Sequence, residues 1–286
     1  MGLTKKTSIS FKVKPGWVSF ILLALGSLII VMPLLWMLST SLKSMTGVYK
    51  FPPGLIPRPI MWQNYIDAWN SANFPRYFLN STIVAVVVTL GELTTSSLAA
   101  FAFARMKFRG SNLLFLMVLG TLMIPKEILL IPNYVILKQL DWLNSYLALT
   151  VPFMAGAFGI FILRQHFLTI HQDLEDAAIM DGCSRLRFLL SIVIPNSKPA
   201  LAAVAVFSFI TNWNSYIWPL IVTRDDSLRT IQVGLSAFKD AETSGANTNW
   251  ALLMAASVTT LVPVIIIYAF AQEWFTEGYI TSGIRG

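Results

Sequence analysis

The chain has 286 residues, 55% of them hydrophobic and only 12% charged, and carries a formal charge of +7. Soluble domains hold about 25% charged residues, so there is too little polar surface here to coat one large or two ordinary water-soluble globules, and disorder, which needs low hydrophobicity, fails for the same reason. A single cysteine, Cys183, excludes an internal disulfide, and a basic balance on so apolar a chain reads as Lys and Arg flanking membrane spans rather than as a nucleic-acid surface.

A membrane helix needs about 20 apolar residues. Uncharged intervals place six of them, at 17–38, 77–104, 113–131, 142–163, 199–223 and 250–272. The chain is therefore expected to be an all-α integral membrane protein, with a tail at 1–16, a transmembrane domain over 17–273 and a second tail at 274–286. The first interval follows Lys5, Lys6, Lys12 and Lys14, as a signal peptide would, but its length exceeds the usual apolar region of about 7–15 residues and no A-x-A site follows. It reads as a retained helix. The second is broken only by Glu92, and the third is the weakest because Lys126-Glu127 interrupts it. With the N-terminus inside, twelve Lys and Arg fall on the inside segments against nine outside, most of them close to span ends, which orients both termini to the cytoplasm. Of the outside segments, 43–76 is proline-rich and reads as irregular, while 224–249 reads as a polar surface loop.

Several chemistries are missing. No Gly-Lys dipeptide occurs, so there is no phosphate-binding loop of the G-x-x-x-x-G-K-[ST] type. His166 and His171 have no third ligand near them in sequence, so no metal site is expected, and no catalytic pair lies within the spans. Proton-coupled carriers place several ionisable groups inside their helices, whereas Glu92 stands alone. It is either a substrate or gating group, or a carboxylate near the inner end of its helix or paired with a neighbouring subunit.

The longest inside segment, 164–198, has helical grammar. Thr169 and Gln172 fit a capping box, and Asp173, Glu175 and Asp176 place negative charge at the positive end of a helix dipole. Leu174, Ala177, Ala178 and Asp181 share one face, Gly182 fits the left-handed position that ends a helix, and Ser184 caps a second helix running to Ile192 before Pro195 and Pro199. Helices that lie on lipid have a basic polar face and a bulky apolar one. An acidic helix with small residues suits docking by another protein instead.

Asp176-Ala177-Ala178, Asp181-Gly182 and Ile194-Pro195 resemble the E-A-A…G…I-x-L-P signature of bacterial ABC-importer permeases, with Asp176 in place of the usual Glu and Ile194 in place of the usual Leu. Phe78 to Ser81, Leu98 to Arg105, Ile131-Pro132, Trp213-Asn214, Trp218-Pro219 and the ending Gly283-Ile284-Arg285-Gly286 are similar to the carbohydrate branch, specifically the smaller permease subunit of maltose-type importers. The resemblance implies a type I importer permease fold in a bacterial cytoplasmic membrane. It implies a second homologous permease as pore partner, two ATPase subunits that carry the ATP and Mg, and an extracytoplasmic solute-binding protein that delivers a carbohydrate. It places ATPase coupling on Leu174, Glu175, Asp176, Ala177, Ala178, Met180, Asp181, Gly182 and Pro195, with Ile284 and Arg285 reaching into the ATPase dimer. This chain would then have no catalytic residue and no cofactor of its own.

Sugars are held by amide and hydroxyl hydrogen bonds and by aromatic faces, so Asn212, Trp213, Asn214 and Tyr216 in the fifth span, with Glu92, are the substrate-pathway candidates. Asn212 and Tyr216 are spaced to share a helix face. An aromatic belt at the membrane interface is the alternative reading of the tryptophans. Two other classes stay open: a permease of the same superfamily for a non-sugar solute, and a self-sufficient carrier driven by an ion gradient.

Overall fold

The computed structural model describes residues 16–240 and 249–283. Among these, every regular element is helical. The first, α1 (Trp17–Ser41), has 25 residues, apolar on all sides and exposed along most of its length. At 1.5 Å per residue it exceeds the roughly 30 Å hydrocarbon layer, and a helix hydrophobic all round belongs in lipid or against another membrane chain. Residues 43–76, expected to be irregular, hold two helices, α2 (Met45–Val48) and α3 (Gln63–Asn70). The amide of Asn64 donates to the carbonyls of Ser41 and Lys43 at 2.8 Å each, tying α3 to the end of α1.

The central element is α4 (Phe74–Arg105), which packs against α3 and the later helices of the bundle. Its buried face includes Ser81, Ala85, Ser96, Ser97 and Ala100, small groups that let helix backbones approach closely. The expected third span is not one helix. α5 (Ser111–Thr121) is 11 residues long, and α6 (Leu130–Gln139) starts only after a run of turns at Pro125 to Leu129. Pro125 lacks an amide proton and Lys126-Glu127 is costly in lipid, so the helix stops where the hydropathy dips. The fourth interval is also interrupted: α7 (Tyr146–Thr150) and a 3₁₀ turn (Val151–Phe153) lead through Met154 to Gly156 into α8 (Ala157–Thr169).

The expected inside segment then forms α9 (Gln172–Met180), α10 (Arg185–Phe188), a π-helical turn (Leu189–Val193) and α11 (Ile194–Asn196). Pro195 has no N–H to give to the preceding turn, which accounts for the widened turn before it. The chain bends by 83° into α12 (Lys198–Trp213), breaks at Asn214 to Tyr216, and resumes as α13 (Ile217–Val222). Residues 224–249 are more than a loop, because a 3₁₀ turn (Asp226–Leu228) and α14 (Ile231–Asp240) occupy the described part. α15 (Trp250–Gly283) has 34 residues and runs on past 272 into the segment expected as a tail. Ile284 and Arg285, like residues 1–15, lie outside the described residues.

By length and composition four helical segments suit a membrane crossing, at Trp17–Ser41, Phe74–Arg105, Tyr146–Thr169 and Trp250–Gln272, and a fifth if the bent pair around Ser197 is one span. The core gathers in three clusters. One, around Phe101, Phe167, Ala178 and Phe188, joins α4, α8, α9 and α10. Another, around Phe74, Phe209, Trp213 and Ala256, joins α4, α12 and α15 at the opposite end. The third, around Val84, Leu149 and Trp218, packs α7 and α13 on α4.

Candidate functional site

At the end of the bundle where α4 and α8 finish, α9 is presented by a single cation. Arg105, 8% exposed in its side chain, forms an ion pair with Glu175 at 3.4 Å and donates to the carbonyls of Phe167 at 2.6 Å and Ile170 at 2.5 Å. It thereby holds the end of α8, the turn and the start of α9 on the last turn of α4. That turn overrides the expected capping box. Thr169 stays in α8 and its hydroxyl donates to the carbonyl of His166, so α9 begins at Gln172 with His171 at its N-cap and no side-chain cap. The far end of α9 is as expected. Gly182 adopts φ +69°, its N–H donates to Ile179, and the Cys183 N–H donates to Ala178, which closes the helix in a Schellman motif. Ser184 accepts from the Arg187 N–H and caps α10.

The two alanines part company. Ala178 is buried against Phe101, Phe167 and Phe188, so it seats α9 on its own chain. Leu174, Asp176, Ala177, Asp181 and Gly182 are exposed, as are the large apolar side chains of Ile179, Met180, Leu186 and Leu190. A water-facing helix end that combines acidic groups with bare apolar side chains has the composition of a contact surface. Pro195 lies in α11, just past the widened turn.

Glu92 lies deeper than the near-end alternative allows. It sits thirteen residues before the α4 terminus at Arg105, about 20 Å along the axis, and is buried. Its carboxylate lies against Gly156, where a Cβ would come within 2.0 Å of Oε1. The Thr95 hydroxyl donates to the Met154 carbonyl at 2.5 Å and the Ser96 hydroxyl to the Gly156 carbonyl at 3.4 Å. The break in the fourth interval is thus stitched to α4 by two hydroxyl hydrogen bonds, with the Glu92 side chain packed beside them. A carboxylate beside the first turn of α8 also faces the positive end of that helix.

At the other end of the bundle lies a polar knot that the sequence did not reveal. Asp226 accepts from Asn73 and from the Tyr77 hydroxyl at 2.5 Å, and forms an ion pair with Arg229 at 3.4 Å. Arg76 and Asn80 donate to the carbonyl of Ser227, and Asn144 donates to Asp225. These bonds fasten the 224–231 segment across the head of α4. The Tyr77 hydrogen bond, aided by Asn73 and Arg229 and opposed by burial, lowers the Asp226 carboxyl below its ordinary value of 3.8. A depressed carboxylate contributes stability above its unfolded value and loses it as pH falls through the folded one. A spin label at Ser227→Cys, in a Cys183→Ser background, should therefore gain mobility only below about pH 3.8. With Asp226→Asn it should be mobile already at neutral pH. A label equally immobile in both chains at neutral pH would show that the knot does not hold the segment.

The substrate-pathway candidates separate. Trp213 is a packing residue, 1% exposed, with its indole N–H donated to the Thr260 carbonyl. The Asn212 amide is spent on the Ser208 carbonyl of its own helix. Since α12 ends at Trp213, Asn212 and Tyr216 do not share a continuous helix face. Asn214 accepts from Gln232 at 3.3 Å, and Tyr216 lines a cavity of about 570 Å³ with residues of α14 and α15. Glu92 belongs to neither group.

The described residues thus form an all-helical chain with several apolar helices and, at one end, an exposed acidic helix held on the bundle by Arg105. It matches the family described as binding-protein-dependent transport system inner membrane component over residues 92–280, and it belongs to that family. It is 38% identical over 268 residues to the sn-glycerol-3-phosphate transport system permease protein UgpE of Yersinia pestis bv. Antiqua, covering 92% of this chain and 95% of the relative. The UgpE protein of Escherichia coli O157:H7 is also 38% identical, over 270 residues, with the same coverage. Among solved structures, a bacterial ABC transporter involved in the import of the acidic polysaccharide alginate superposes with a TM-score of 0.81 at 25% identity, over 90% of this chain and 95% of that one. A bacterial alginate ABC transporter in complex with an alginate pentasaccharide-bound periplasmic protein shares the fold, at a TM-score of 0.64 and 15% identity over 91% and 94%. The fold is that of an ABC-importer permease.

Proposed function

We propose that the chain is the multi-pass permease subunit of a bacterial importer for a carbohydrate or carbohydrate-like solute, seated in the cytoplasmic membrane with both termini inside. It pairs with a second homologous permease, rests on two ATPase subunits that bind ATP and Mg, and takes substrate from an extracytoplasmic solute-binding protein. It performs no catalysis itself. The observation that carries this reading is α9, an exposed acidic helix closed by Gly182 and held on the bundle by Arg105. Such a helix transmits force in either direction, because its own chain grips it at Ala178 and Glu175 while Leu174, Asp176, Ala177, Met180 and Asp181 stay free for the ATPase. The carbohydrate class rests on the substrates named for its relatives, sn-glycerol 3-phosphate and alginate.

Two variants test the coupling surface. Gly182→Val forces a β-branched residue to φ +69°, costing roughly 1 kcal/mol or more even though no atom lies within 4 Å of the added carbon. Ala177→Leu overfills the partner contact, at about 1–3 kcal/mol. Both should insert normally, lose co-purification of the ATPase, and lose ATP-driven uptake in proteoliposomes that contain the whole importer. Normal uptake and normal ATPase retention in both would remove α9 as the coupling element. Uptake driven by an ion gradient through this chain alone would end the whole reading.

A further inference from the structure

The cavity at Tyr216 opens between the start of α13, the middle of α14 and the first two turns of α15. Tyr216, Gln232, Ser236, Trp250, Met254 and Ser257, with two leucines, line it, and at about 570 Å³ it falls in the size range of small-ligand sites. No charged residue is among the described residues that line it.

The lining has hydrogen-bonding capacity to spare. The Tyr216 hydroxyl and the Trp250 indole N–H meet no partner among the described residues, and both rings are a little over a third exposed, at 39% and 38%. Gln232 gives its amide N–H to Asn214, and its carbonyl oxygen meets no donor among the described residues. Ser236 and Ser257 each spend their proton on a carbonyl of their own helix at 2.8 Å, which leaves their oxygens as acceptors. Two donors, three acceptors and two aromatic surfaces over a leucine and methionine floor match a sugar ring, whose hydroxyls both give and accept and whose C–H faces are apolar. A carboxylate or phosphate would find no cation among the described lining residues, and an unpaired anion taken from water is penalised.

We propose that this groove binds one uncharged pyranose unit of an oligosaccharide, with Trp250 and Tyr216 as ring contacts and Gln232, Ser236 and Ser257 as hydroxyl partners. The inference rests on the reading of the chain as a carbohydrate importer's permease and goes further, since sn-glycerol 3-phosphate and alginate, the substrates named for its relatives, are both acidic.

The test uses the assembled importer in membrane vesicles, with Met254→Cys as the reporter in a Cys183→Ser background and Leu235→Cys as a second reporter should the first fail to assemble; both line the groove without being among its proposed sugar partners. Maleimide labelling is timed against increasing amounts of a mixed pool of neutral trisaccharides of glucose, mannose, galactose and xylose, and against alginate trisaccharides. The neutral pool should slow labelling by the factor 1 + [L]/Kd, about five-fold at four times Kd. Alginate trisaccharides should slow it far less, and Trp250→Leu should abolish the protection. No protection by the neutral pool, or protection by the acidic sugars as strong or stronger, overturns the proposal. ATP-driven uptake by the same vesicles keeps the two claims apart. Uptake of a sugar without protection refutes the groove alone, whereas an assembled importer that transports no sugar at all refutes the broader reading.

Discussion

Replacing Arg105 by methionine should abolish ATP-driven uptake while leaving the chain in the membrane. The guanidinium meets the Glu175 carboxylate and the carbonyls of Phe167 and Ile170 at once, from a side chain only 8% exposed. Removing one partner of a buried ion pair costs about 3–5 kcal/mol because the other charge is stranded, and Glu175, with 23% of its side chain exposed, puts this case at or below the low end of that range. The loss falls on the joint between α9 and the bundle rather than on the spans. Basal ATP hydrolysis by the partner subunits should persist while its coupling to transport disappears. Arg105→Lys retains the charge but cannot reach three acceptors in fixed directions, so it should restore only part of the uptake. The measurements are uptake and ATP turnover side by side in proteoliposomes. An Arg105→Met chain with wild-type ratios of sugar moved to ATP used would show that the clamp does not carry the stroke.

The second large effect is expected at Gly156. An alanine there would place its Cβ 2.0 Å from the Glu92 Oε1 and 2.9 Å from the carboxyl carbon. The oxygen ends a flexible side chain, but swinging it aside takes a buried carboxylate away from the head of α8, next to the break that the Thr95 and Ser96 bonds hold. Overpacking of this kind costs about 1–3 kcal/mol. Glu92→Ala clears the overlap, so Gly156→Ala combined with Glu92→Ala should be more stable than the two single changes predict, by roughly 0.5–3 kcal/mol of coupling. Thermal unfolding in detergent measures all four chains. Strict additivity, or a Gly156→Ala chain as stable as its parent, would mean that Glu92 does not pack where its carboxylate is placed. The cycle also decides what Glu92 is for. Strong coupling makes it a structural joint for the interrupted fourth interval, and Glu92→Gln should then preserve transport.

Much of α9 and of the turn after it was legible residue by residue. The acidic first turn of α9, the left-handed Gly182 and the Ser184 cap depend on neighbours within four positions, and local rules govern them. The Thr169 capping box obeyed the same rules and still failed, because Arg105 holds the Phe167 and Ile170 carbonyls and keeps the chain in α8 through Thr169. Arg105 itself showed only as a charge at a span end. Nothing near it in sequence says that its acceptors lie sixty to seventy residues away.

Composition and pattern were enough to show a membrane chain, roughly where its apolar helices run, and an acidic helix ended by a glycine within 164–198. Hydropathy and helical period act over one or two turns, so composition along the chain carries that information without any knowledge of the fold. It took the packing of distant segments to settle that Ala178 faces inward while Ala177 stays free, that Trp213 is core, that the third interval is one short helix and a run of turns ahead of α6, and that Asp226 is locked to Tyr77 149 residues away. Those outcomes depend on which surfaces meet. An alanine, a tryptophan or an aspartate has the same local preferences whether its neighbour across the bundle is a cation, a phenylalanine or lipid.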